Sequence, residues 1–438
     1  METAQLNVNF SKKVGLIKPM HAINNAPTVP DDYLGLYDSL RDAAVPYARL
    51  HDTGGRYGGS RYVDIENIFP DFDADENDPS SYDFAFTDVL LKELIGHGIK
   101  PFYRLGATIE NYHKIRAYHI YPPKDAGKWA RICEHIIRHY NEGWADGYRM
   151  NIEYWEIWNE PDNEPEIDDN PMWKGTKECF FELYSTAYTH LKACFPQLKI
   201  GGYASCGFYA LSSADFSHIA NSSPRTEYFV EFFLDFLSYI REHGAGLDFF
   251  SWHSYASDTD NVGYARYVRS KLDEFGFCGC EVFLNEWNPG IHNRGTLRDA
   301  SDILTMMCRM NETPTDMCMY YDGWISSGYC GLFDPLRHGL FPAYYAFLMF
   351  GNLYRLKNKV PCSIDGENIY ALAASDGSRR GIAVVNHTAK EQNIHLNADG
   401  TFRIRRVDES HSYEAEETMA DNNIFTLSAY GIAYLLAE

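Results

Sequence analysis

The sequence predicts an α/β fold, a (β/α)8 TIM barrel followed by a C-terminal antiparallel β-sandwich domain. Three observations carry this. Short apolar strands alternate with amphipathic helical stretches along most of the chain, the signature of a parallel sheet built from βαβ units. The alternation runs to eight strand candidates, the number that closes a barrel. After about Lys357 the helical periodicity stops, and short strands divided by turns such as Asp376-Gly377 and Asp399-Gly400 take over. With 438 residues, of which 45% are hydrophobic, the chain is long enough for a barrel core and a second, smaller one. The expected boundaries are an N-terminal strand in 1–13 that pairs with the β domain, a (β/α)8 barrel over 14–356, and an accessory sandwich over 357–438.

Along the chain, the strand candidates are Val14–Asn24, Tyr47–His51, Lys100–Gly106, Tyr154–Asn159, Lys199–Tyr203, Phe249–Tyr255, Glu281–Trp287 and Met317–Asp322. Helical patterns fall between them: Asp31–Ala43, Tyr82–Gly98, Asp125–Asn141, Cys179–Phe195, Glu227–His243, Asn261–Phe275 and Asp299–Asn311, with an aromatic helix over Pro342–Tyr354. Within Asp125–Asn141 the apolar residues Trp129, Ile132, Cys133 and Ile136 recur at helical spacing. In the last part, Asn368–Ala374, Arg380–Asn386, Glu391–Leu396, Phe402–Val407, Ile424–Leu427 and Ile432–Leu436 read as strands, with Leu6–Phe10 as a partner for them.

The net charge of −22 disfavours binding to nucleic acid or to an anionic membrane. No apolar run is long enough to span a bilayer. The start, Met1-Glu2-Thr3-Ala4-Gln5-Leu6-Asn7, lacks the basic and apolar regions of a secretory signal, and the ten cysteines are scattered. A cytoplasmic protein with reduced thiols is expected. No His-x-His or His/Asp cluster has ligand spacing, so no metal and no cofactor are expected. The acidic runs Asp71–Asp78 and Glu164–Asn170 lack the glycine and closing glutamate of a calcium loop and read as solvated loops. The glycines around Arg56 read as a loop at the barrel mouth rather than a nucleotide cradle.

Two stretches carry the chemistry. Trp155-Glu156-Ile157-Trp158-Asn159-Glu160-Pro161-Asp162 is a buried strand that ends in an amide and a carboxylate and is stopped by Pro161, which has no N–H for a sheet ladder. Val282-Phe283-Leu284-Asn285-Glu286-Trp287-Asn288-Pro289 repeats the design. Barrels display catalytic groups at strand C-termini, and two such glutamates on strands four and seven face one another across the mouth. Glycoside cleavage needs such a pair, an acid for the leaving oxygen and, in retaining enzymes, a nucleophile about 5–5.5 Å away. The expected roles are acid/base for Glu160 and nucleophile for Glu286, with Asn159 on the sugar 2-hydroxyl. His253 and Tyr255 alternate on strand six, and Tyr255 is placed to hold the nucleophile. Arg49 is an inward charge beside it on strand two, followed by His51 at the strand's end. His21, at the end of strand one, is a candidate for a sugar hydroxyl. Trp287 and Trp324 are candidates for a stacking floor, as is Trp158; packing is the alternative for Trp158 and Trp287.

These residues resemble glycoside hydrolase family 39, within the large clan of retaining barrel glycosidases. Lys18-Pro19-Met20-His21-Ala22-Ile23-Asn24-Asn25-Ala26-Pro27 resembles that family's first strand with its sugar-binding histidine. Glu156-Ile157-Trp158-Asn159-Glu160-Pro161-Asp162 resembles its acid/base motif, and Leu284-Asn285-Glu286-Trp287-Asn288 its nucleophile motif, where the family often has Thr-Glu-Phe-Asn. The resemblance implies retention of configuration, a β-sandwich accessory domain, no catalytic metal and a carbohydrate substrate. The family covers β-xylosidases, α-L-iduronidases and enzymes for arabinosides and galactosides. The chain's acidity leans against a uronate, and the long loops Asp162–Glu178 and Gly323–Phe341, with Trp173 and Tyr329 near their middles, favour a walled pocket and exo-action. A β-xyloside is the expected substrate; another sugar, or a non-catalytic carbohydrate-binding barrel, is the alternative. Edge strands of the β domain leave room for a homo-oligomer.

Overall fold

The computed structural model describes residues 3–27, 35–51, 63–108, 119–211, 223–325, 327–419 and 422–437. The loop around Arg56 lies outside them. Eight parallel strands close into a barrel: β1 Ala22–Asn24, β2 Tyr47–Leu50, β3 Lys100–Leu105, β4 Tyr154–Ile157, β5 Lys199–Ser205, β6 Phe249–Ser254, β7 Glu281–Trp287 and β8 Met317–Tyr321. They follow one another around the ring in chain order, and β8 closes on β1. Each is followed by a helix, in order Leu36–Asp42, Ala85–Gly96, Ala126–Asn141, Lys177–Cys194, Pro224–Glu242, Asp258–Glu274, Leu297–Asn311 and Pro342–Leu356. No helix among the described residues is long and apolar enough to cross a membrane.

The helices start where their sequences dictate. At Pro224–Glu242 the Ser223 hydroxyl accepts from the Thr226 N–H at 3.2 Å while Thr226 Oγ1 accepts from the Ser223 N–H at 3.0 Å. This reciprocal cap satisfies two otherwise orphaned donors, and Pro224 sits where no N–H is needed. Its buried face, Phe229, Val230, Phe232, Phe233, Phe236, Leu237 and Ile240, follows the helical period. Burying each such side chain contributes roughly 1.5–3 kcal/mol.

The first expected strand is broken. Gly15–Leu16 pairs with Asn358–Lys359, outside the barrel, and only Ala22–Asn24 enters the ring. Pro19 between them has no N–H to give a ladder; its carbonyl accepts from Cys318 N–H at 3.2 Å.

Beyond Leu356 the described residues form strands only, in two sheets. One runs Cys362–Ile364, Ala4–Val8, Gln392–Asn397, Ile424–Leu427. The other runs Glu416–Thr418, Arg403–Val407, Ile432–Ala437, Arg380–Asn386, Ile369–Ser375, Asn358–Lys359, Gly15–Leu16. Leu6, Ile382, Val384, Ile394, Phe402, Leu427 and Leu435 are among the side chains that fill the core of this region. Among the described residues these pairings are antiparallel, except that Ala4–Val8 lies parallel to Gln392–Asn397. By contacts the chain divides into two compact units, Met1–Ala22, Tyr33–Pro46 and Asn288–Glu438 in one, Ile23–Asp32 and Tyr47–Trp287 in the other.

A buried ion pair braces the second unit. Arg104 Nη2 donates to Asp64 Oδ1 at 2.7 Å, and Asp64 also accepts from the Thr108 N–H (2.9 Å) and hydroxyl (2.8 Å); neither charged side chain is exposed. Removing one partner of such a pair leaves the other charge uncompensated. Asp64→Ala is expected to cost about 3–5 kcal/mol of stability, measured by urea denaturation; a loss under 1 kcal/mol would refute the bracing role.

Candidate active site

The end of β4 bends sharply. Trp158 and Glu160 both adopt left-handed backbone, at φ 75° and 46°, an uncommon and costly conformation for non-glycine residues that clusters at functional sites. The Trp158 N–H is held by the Leu105 carbonyl (2.7 Å) and the Glu160 N–H by the Ala204 carbonyl (3.0 Å), so both neighbouring strands pin the bend. Gly106, at φ 129°, makes room for Trp158: a Cβ there would lie 3.1 Å from its Cα and ring. Across the barrel, the pairing of β6 with β7 shifts register between Trp252 and His253, so that His253 faces Glu286 and Asn285 is skipped. Such bulges re-aim side chains.

The result is convergence on two carboxylates. Oxygens of Glu160 and Glu286 and a nitrogen of His253 lie within 4.8 Å of one another. Glu286 Oε1 accepts from the Tyr255 hydroxyl at 2.7 Å; Oε2 accepts from Asn24 Nδ2 at 3.0 Å and faces Arg49 Nη1 at 3.5 Å. Glu160 Oε1 is 2.7 Å from His253 Nδ1, and Oε2 accepts from Asn163 Nδ2 at 2.7 Å. Arg49 Nη2 donates to Asn159 Oδ1 at 2.7 Å. The Asn159 amide nitrogen is buried and, among the described residues, makes no hydrogen bond; it is a donor held ready beside the carboxylates.

The electrostatics separate the groups. Burial alone would lower the His253 imidazole, but the Glu286 and Glu160 carboxylates outweigh it and raise its pKa above the ordinary 6.5. Burial alone would raise Glu160, but the hydrogen bond and charge of His253, with help from Asn163 and Cys206, hold it below its ordinary value. Behind Glu160, burial pushes Asp162 up to about 7, against the Ser205 hydroxyl that donates to it at 2.7 Å. His51, also buried, is held well below 6.5 by that burial and then by the charges of Arg49, Arg104 and His253. The triad of Glu160, Glu286 and His253 offers donor atoms of metal-ligand type, but these atoms are already engaged with one another and with Tyr255, Asn24, Arg49 and Asn163.

Of the residues expected from sequence, Glu160, Glu286, Arg49, Asn159, His253 and Tyr255 come together here, and His51 closes the same strand as Arg49. His21 does not. It precedes β1, its Nε2 lies 2.9 Å from the Ala44 carbonyl, and its ring packs against Phe350 and Tyr354. The polar residue that β1 brings to the carboxylates is Asn24, at the strand's C-terminal end. Trp287 is fully buried and fills core, so it offers no sugar-stacking face. Trp158 and Trp173 are likewise buried, edge to face with ring centroids 5.1 Å apart. Trp324, half-buried, follows β8 in the other compact unit.

The sequence profile of glycosyl hydrolases family 39 matches residues 62–325, more than half of the chain. The chain belongs to glycosyl hydrolase family 39. It is a glycoside hydrolase, and its substrate is a carbohydrate. A second profile, the C-terminal immunoglobulin-like domain of D-apionate lactonase, matches residues 367–435. A β-xylosidase of Caldicellulosiruptor saccharolyticus is 22% identical over 444 residues, covering 92% of this chain and 82% of that enzyme. One from Geobacillus stearothermophilus is 24% identical over 231 residues, 49% of this chain but only 40% of the relative's length. Among solved structures, a glucosidase from Croceicoccus marinus shares the fold, with a TM-score of 0.74 and 21% identity over 100% of this chain and 99% of that one.

Proposed function

We propose that this family 39 enzyme is a retaining, exo-acting β-xylosidase in which Glu286 is the nucleophile and Glu160 the acid/base. One observation carries the reading: the two strand-end carboxylates approach within 4.8 Å, the short separation of retaining rather than inverting glycosidases. Their surroundings divide the labour. Glu286 receives donors from Tyr255 and Asn24 and faces Arg49, which favours an anion aimed at the anomeric carbon. Glu160 Oε1 meets His253 Nδ1 at 2.7 Å, a distance at which the pair can hold one proton between them.

In the first step a Glu286 oxygen bonds to the anomeric carbon while the bond to the aglycone breaks and the Glu160 proton passes to the departing oxygen. In the second, Glu160 takes a proton from water, whose oxygen displaces the Glu286 ester and restores both carboxyl groups. Asn159 donates its unengaged amide to the 2-hydroxyl, where hydrogen bonds strengthen in the transition state. Xylose is proposed because the two relatives described above are named β-xylosidases.

The test is hydrolysis of aryl xylosides, arabinosides, galactosides and glucosides, with the first-formed anomer read by NMR. The β-xyloside is expected to be cleaved fastest, giving β-xylose first. An initially inverted product would sink the mechanism; faster cleavage of another sugar would sink the substrate.

A further inference from the structure

Beneath the two carboxylates lies a third that the proposed mechanism does not use. Glu156, four residues before Glu160 on β4, is fully buried. Its Oε2 accepts from Arg49 Nε at 2.7 Å. Its Oε1 accepts from Ser251 Oγ and from Asn285 Nδ2, each at 2.6 Å. A group that only accepts, three times over, is in the state of an ionised carboxylate. Its partners come from β2, β6 and β7, and each reaches the site. Arg49 continues to Asn159 and Glu286. The Ser251 hydroxyl also accepts from the Ala204 N–H, whose own carbonyl holds the Glu160 N–H. Asn285 adjoins Glu286, and its carbonyl accepts from Asn24.

One guanidinium therefore serves two carboxylates unequally. Arg49 meets Glu156 at hydrogen-bond length and Glu286 only at 3.5 Å. We propose that Glu156 is a positioning residue that draws Arg49 back from Glu286 and so preserves the basicity of the nucleophile. A guanidinium fully committed to Glu286 would stabilise its anion and weaken its attack. The inference rests on the reading of Glu286 as nucleophile.

Glu156→Gln keeps the shape and removes the charge. The acidic limb of kcat/KM is expected to move down by about one pH unit, because Arg49 then bears on Glu286 alone. The plateau should fall by between about tenfold and a hundredfold. Glu156→Asp keeps the charge and should leave the limb in place even if the plateau falls. An unmoved limb in a folded Gln variant, or an equal shift in Asp, overturns the proposal. Should the Gln variant fail to fold, Ser251→Ala removes one of the three donors; its kcat/KM is expected to drop at least several-fold, and a value within twofold of wild type overturns the proposal instead. Glu286→Ala in parallel separates the two readings. If it stays active, the nucleophile assignment falls and this inference with it. If it is dead and the limb unmoved, only the role of Glu156 falls.

Discussion

Glu286→Ala is expected to lower turnover by about 10⁴-fold or more while leaving the fold intact. The expectation follows from what the side chain touches. The nucleophile forms the covalent glycosyl ester, and no other carboxylate can replace it. Glu160 is held by His253 and Asn163, and Glu156 is sealed below by three donors. The fold should survive, because Arg49 keeps its bonds to Glu156 and Asn159 when Glu286 is gone. Azide added to the alanine variant should enter the vacated space and give the glycosyl azide of inverted configuration. A 2-fluoro-xyloside should label the wild-type enzyme, with the adduct on the peptide that contains Glu286. Activity near wild type in the alanine variant, or a label on another peptide, would refute the assignment.

What could be read from sequence, and what could not, follows from range of interaction. Strand-end carboxylates were legible because the local pattern declares them: an apolar run, then Asn-Glu, then a proline that ends the ladder. Arg49, His253 and Tyr255 were legible for a similar reason, as polar groups on otherwise apolar strands. His21 misled, because a polar residue beside a short strand does not say at which end of it the residue stands. Only the break at Pro19, which confines β1 to Ala22–Asn24, puts His21 before the strand and Asn24 at the carboxylates. Asn285 and Glu156 carry no local signal of their roles. Asn285 turns inward because of a bulge between β6 and β7, a property of two strands at once. Glu156 looks like any charged residue of a strand until Arg49, Ser251 and Asn285 arrive from three others. The β region was legible as strands from its turns, but the parallel pairing of Ala4–Val8 depends on contacts almost four hundred residues apart in sequence. Trp287 shows the limit of residue type alone: an aromatic beside a catalytic residue is equally a wall or a core, and burial decides.

Glu160→Gln should have the second-largest effect, and its size should depend on the aglycone. With a poor leaving group the first step needs a proton on the departing oxygen, and kcat/KM should fall by about 10²–10⁴-fold. With a dinitrophenyl leaving group, which departs unprotonated, kcat/KM should stay within about tenfold of wild type. The second step still lacks its base, so the glycosyl enzyme should accumulate. Azide, which needs no deprotonation, should relieve this in Glu160→Ala, where the space is open, and yield a glycosyl azide of retained configuration, opposite to that from Glu286→Ala. The pH profile adds a separate check. The His253 pKa is raised by Glu286 and Glu160 and that of Glu160 is lowered by His253, so through the neutral range the two share one proton. That proton is the one the first step transfers. It is present below the raised histidine value and lost as pH climbs through it, so the basic limb of kcat/KM should lie above 6.5 and belong to the pair rather than to either residue. Wild type should show the limb with a poor leaving group, and Glu160→Gln, assayed on that same substrate, should lose it. A limb that persists there unchanged, or a fall in kcat/KM independent of the leaving group, would show that Glu160 does not carry the proton.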